Sequence, residues 1–96
     1  MTAKQPEVRR DQRVDTALPV FLENASGITR DMSASGAFFW ISGTYAIGES
    51  ISFSIELKTA GGRMMRKCKG EVLRTEPRGT DMGVAVRITE SALEPV

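Results

Sequence analysis

The sequence contains no histidine. Ser-His-Asp and Cys-His catalysis, imidazole acid–base chemistry and most zinc and iron sites go with it. A single cysteine, Cys68, excludes an intramolecular disulfide and any Cys-x-x-Cys metal or redox motif. That usage is the one expected of a reduced, intracellular protein. Long apolar runs are missing too. The longest, Ala37 to Ile41, is far too short for a membrane span or a signal-peptide core, so the expectation is a cytoplasmic protein with no membrane insertion. Nor is there an excess of one charge: 13 Lys and Arg against 12 Asp and Glu leave a net +1. A binder held to DNA or RNA by bulk electrostatics carries a strong basic excess, and neither is expected as a partner. An enzyme would have to work with carboxylates, Lys and Tyr alone, so no catalytic residue and no metal ligand is assigned.

What remains is a chain of 96 residues, enough for one compact domain. Residues 1–15 are polar, hold Pro6 and the cluster Arg9, Arg10, Asp11, Gln12, Arg13, and show no period of 2 or 3.6. They read as a flexible N-terminal arm. From residue 16 to 96 the pattern is that of strands. Leu18, Val20 and Leu22 alternate with Pro19, Phe21 and Glu23, with Pro19 placing that strand at an edge or facing outward there. Asn24 to Gly27 turns the chain, and Ile28 to Met32 is extended again. Ala37 to Ile41 reads as a strand buried on both faces.

Ile51, Phe53, Ile55 and Leu57 against Ser52, Ser54, Glu56 and Lys58 give a half-buried strand, and Ala60-Gly61-Gly62 reverses it. Arg63 to Glu76 follows as a long strand with a bulge or bend at Gly70. Arg66 and Arg74 share the parity of Met64, Cys68 and Val72, so that bulge is needed to keep both arginines out of the core. Strand alternation turns Lys67 and Lys69 away from Cys68, which is expected to be buried and inert. Of Met64 and Met65, one should face the core and one the surface. Core packing accounts for most of Phe38, Phe39 and Trp40. Pro77 to Asp81 is the next turn, and Val84, Val86 and Ile88 mark a last strand. Ser91 to Glu94 is a candidate helix start, capped by Ser91 but cut short. The fold class is all-β: a small six-stranded antiparallel barrel with little or no C-terminal helix.

Two segments carry chemistry. Arg9 and Arg13, four apart, supply planar donor forks that match phosphate oxygens or the O6 and N7 acceptors of guanine. Asp31-x-Ser33-x-x-Gly36 lies between two strands. Its carboxylate suits the N1–H and N2–H donors of guanine, its hydroxyl donates or accepts, and its glycine permits close approach. Each segment has a plainer reading, as solvated terminal charge or as a self-capped turn.

In this order, with Ile47-Gly48-Glu49 leading into the Ile51–Leu57 strand and Gly83 to Ile88 near the end, the sequence resembles the PilZ domain family over almost its whole length. The resemblance implies a bacterial six-stranded barrel that binds cyclic di-GMP and needs no other cofactor. It implies that Arg9 and Arg13 hold phosphate and guanine, while Asp31, Ser33 and Gly36 form the guanine rim. Family members often start the four-residue spacing at the second of two adjacent arginines, whereas here Arg9 starts it and Arg10 is three from Arg13. Either can make the principal contact. The implied mechanism is ordering of the arm by the ligand to signal to a separate effector protein. A second copy of the chain is left open as a partner. The alternatives are the same barrel as a protein-binding module without nucleotide, and a single-strand-binding barrel of the OB type, against which the near-neutral charge counts.

Overall fold

A computed structural model describes residues 17–96. Arg9, Arg10 and Arg13 therefore lie outside the described residues. Six strands run β1 (Pro19–Phe21), β2 (Ser26–Met32), β3 (Gly36–Ser42), β4 (Ser50–Thr59), β5 (Gly62–Arg78) and β6 (Asp81–Pro95). They close into an antiparallel barrel in the order β1-β2-β3-β6-β5-β4. No described residue is helical.

The core follows from alternation. Ile51, Phe53 and Ile55 of β4 point inward with Phe39 and Ile41 of β3, Val72 of β5 and Val84 and Val86 of β6. Phe39 and Phe53 meet with ring centroids 5.1 Å apart. Cys68 is buried among them, and desolvation pushes its thiol above the ordinary value, the nearby Arg66 charge opposing only in part. Lys67 and Lys69 face outward as expected, while Met64 and Met65 are both half-buried. Thr29 is a polar exception with a reason: its hydroxyl accepts from Leu18 N at 2.9 Å, and its own amide donates to Leu18 O. That pair ties the start of β1 to β2.

Two tight hairpins set the registers. Thr59 pairs with Gly62 and Arg78 with Asp81, leaving two-residue loops. Gly62 and Gly79 take φ of 125° and 59°, which an L side chain would resist.

One expectation is met and two are corrected. Pro19, expected at an edge or facing outward, faces outward rather than standing at an edge, since closure gives β1 a neighbour on each side. It is the first residue of the strand, ahead of the β4 pairing that starts at Val20, so its missing N–H breaks no ladder. Ser91 to Glu94 is strand rather than helix. Long β5 offers a partner at every position there, from Cys68↔Ser91 to Met64↔Pro95, and that ladder holds the segment extended. Finally, β5 slips register twice against β6, at Lys69/Gly70 and at Val72/Arg74. The second shift turns Arg74 outward, but Arg66 precedes both and points inward, 8% exposed.

Candidate functional site

The register places one row of residues side by side across the outside of the barrel: Asp31 of β2, Phe38 of β3, Ala85 of β6 and Arg74 of β5. The neighbouring row toward the β2–β3 turn is Gly36, Arg87 and Glu71. Side chains in adjacent rows of a sheet share one surface. Between them lies a cleft of about 380 Å³ lined by Arg30, Asp31, Ser33, Gly36, Phe38 and Arg74, among others. The structure thus brings together Asp31, Ser33 and Gly36.

The turn that carries the motif is closed from within. Ser33 N donates to Gly36 O at 2.8 Å, and Gly36 N donates to Ser33 Oγ at 3.2 Å. Ser33 therefore holds the turn as well as lining the cleft. A Cβ on Gly36 would lie 3.2 Å from the Val86 carbonyl oxygen, so glycine is used here for close passage beside β6 rather than for an unusual φ.

Asp31 sits beside a bulge. Register shifts between Thr29 and Asp31, which pushes Arg30 out of the ladder. Freed in this way, Arg30 folds back: its Nε donates to Asp31 Oδ2 at 2.9 Å, and its guanidinium carbon lies 3.9 Å from the Phe38 ring centre. Asp31 is 7% exposed. The carboxylate is thus a buried acceptor already held by one arginine, and the same arginine roofs an aromatic ring of the cleft.

That ring belongs to an outer aromatic layer the sequence did not announce. Phe39 alone of its aromatic run enters the core; Phe38 and Trp40 lie outside, edge to face with centroids 5.2 Å apart. Arg78 covers Trp40 at 4.0 Å. Both rings rest on Gly83, where a Cβ would meet Phe38 Cζ at 2.5 Å and Trp40 Cζ3 at 2.7 Å. A glycine inside an alternating strand was the signal available for this close packing. Opposite Asp31, Arg74 reaches Glu76 at 3.4 Å and Arg87 holds Glu71. Both arginines are more than half exposed, so these pairs contribute little to stability and can exchange partners. The cleft combines donor forks, one buried carboxylate, a small turn and an aromatic face, a chemistry suited to a flat, anionic, hydrogen-bonding ligand.

Among the described residues, no group of His, Cys, Asp or Glu is arranged to hold a metal. Nor is any helix there long and apolar enough to cross a membrane.

Among solved structures, the chain is similar to the Bacillus subtilis inhibitor of motility MotI/DgrA. They share 21% identity and a TM-score of 0.74 over 88% of this chain and 44% of that one. The chain thus spans less than half of that protein, and the likeness is one of fold. No curated protein matches. The PilZ domain family model matches residues 7–94, a span that includes Arg9, Arg10 and Arg13 along with the whole cleft. PilZ domains are receptor and adaptor modules rather than enzymes. With the family match covering residues 7–94 and the closed barrel beneath it, the chain belongs to the PilZ domain family.

Proposed function

We propose that this chain is a bacterial, cytoplasmic receptor for cyclic di-GMP. The observation that carries the reading is the cleft itself, which gathers Asp31, Ser33 and Gly36 beside Phe38 and Arg74 on one outer face. Asp31 and the turn take the guanine edge that carries N1–H and N2–H. Arg9, Arg10 and Arg13 take phosphate and the O6/N7 edge from the other side. The ligand draws the arm onto the barrel, and the surface so formed is read by a separate effector protein. Ordering a segment on binding costs about 2–5 kcal/mol, so several charge-assisted hydrogen bonds must act together. Loss of one buried charged partner then costs about 2–5 kcal/mol, on the order of a hundredfold or more in affinity.

A second reading has its own support. Asp31 is already bonded to Arg30, and Arg74 and Arg87 each hold a glutamate, an arrangement that is self-sufficient without ligand. On that reading the barrel is a protein-binding module. Calorimetric titration with cyclic di-GMP of the wild type, Arg13→Ala and Asp31→Ala separates the two. Micromolar or tighter binding that both substitutions abolish supports the receptor. A wild type that gives no heat and no competition at high ligand leaves the module.

A further inference from the structure

Arg66 is the one buried arginine among the described residues, and the face of the cleft does not use it. It stands on the inner side of β5, a position that Cys68 and Val72 fill with apolar atoms. Burying a guanidinium is expensive unless its donors are matched. Among the described residues Arg66 forms no ion pair. Its donors go instead to two consecutive main-chain carbonyls: Nη1 to Ser33 O at 2.9 Å and Nη2 to Ala34 O at 2.8 Å. Those carbonyls belong to the β2–β3 turn, more than thirty residues away in sequence.

We infer that Arg66 is the positioning residue of the ligand turn, a brace that fixes Ser33 to Gly36 from inside the barrel before any nucleotide arrives. This rests on the cyclic di-GMP reading of the cleft. A guanidinium presents two parallel donors in one plane, and two adjacent carbonyls are the acceptors it fits; an ammonium would reach one. Because each peptide is planar and trans, drawing the Ser33 and Ala34 oxygens inward directs the amides of Ala34 and Ser35 the opposite way, toward the outside. The bonds between Ser33 and Gly36 close the turn, and Arg66 anchors the closed turn to β5. That same strand supplies Leu73 and Arg74 to the opposite wall of the cleft. One side chain therefore ties the two walls together through the interior. A ligand meeting a braced turn loses less free energy to ordering it.

The test compares Arg66→Met, Arg66→Lys and Val72→Ala in the full chain. Val72 is fully buried on the same inner side of β5 and does not itself line the cleft, so its truncation controls for general loss of stability. Two readouts are taken under conditions where each variant is folded: amide hydrogen exchange of Ser33 and Gly36, and the Kd for cyclic di-GMP. Arg66→Met should speed exchange at both turn amides by roughly tenfold or more relative to Val72→Ala and weaken binding by about tenfold or more. Arg66→Lys should fall between it and the wild type. Should Arg66→Met not fold, Arg66→Lys carries both readouts. Turn protection and affinity within about twofold of Val72→Ala would overturn the inference. A wild type that does not bind cyclic di-GMP would remove the receptor reading, while the exchange pattern would still decide whether Arg66 braces the turn.

Discussion

Replacing Gly83 by alanine tests the outer aromatic layer with a single methyl group. Gly83 has no positive φ, so alanine meets no backbone strain there, and where room exists Gly→Ala stabilises by about 0.4–1 kcal/mol. Room does not exist. The added carbon would lie 2.5 Å from Phe38 Cζ and 2.7 Å from Trp40 Cζ3, against an ordinary contact of about 3.5–4.0 Å. Both rings must therefore move outward by roughly 1 Å. They are not free to do so, because Arg30 lies 3.9 Å above Phe38 and Arg78 lies 4.0 Å above Trp40. Overpacking of this kind costs about 1–3 kcal/mol. For a domain of this size a loss of 2 kcal/mol lowers Tm by roughly 8–16 °C. Thermal melts followed by circular dichroism measure the loss. Trp40 is the only tryptophan in the chain, so its emission reports the displacement at the site itself. The expected result is a lower Tm with altered Trp40 emission. A variant that melts within about 2 °C of the wild type with unchanged emission would refute the packing argument.

Further outcomes follow from other parts of the barrel. Burial raises the Cys68 thiol, and burial with the Glu49 charge raises the Tyr45 phenol, so the folded state favours the protonated form of each. Stability from these groups is intact below their ordinary values of 9.0 and 10.0 and falls as pH rises past them toward the raised ones. Denaturant midpoints measured from pH 7 to 11 should decline above about 9, and Cys68→Ala should remove part of that slope. At neutral pH the thiol should resist alkylation until the protein unfolds. Ser33→Ala removes the acceptor for Gly36 N and should cost about 0.5–1.5 kcal/mol of stability, read from urea midpoints. A Ser33→Ala midpoint equal to the wild type would mean that bond contributes nothing.

Much of this barrel is legible along the chain because alternation reports burial directly. Ile51, Phe53 and Ile55 enter the core where their spacing puts them. The Ala60–Gly62 reversal and the glycine after Arg78 mark both tight hairpins. The Asp31–Gly36 motif is also readable, since turn chemistry is local.

Alternation fails where the register slips. A bulge at Arg30 and the Val72/Arg74 shift between β5 and β6 change the faces that Arg30 and Arg74 take, and no local pattern states where a ladder will skip a residue. Parity placed Arg66 and Arg74 together; the Val72/Arg74 shift separates them, sending one to the cleft wall and the other inward to brace the turn. Likewise the helix signal at Ser91 yields to a partner strand that only the long β5 hairpin provides. Residue types and their period therefore determined the fold class, the core of β4 and the turn motif. Register, a property of two strands at once, decided which arginines stack and that Asp31, Phe38 and Arg74 share one surface.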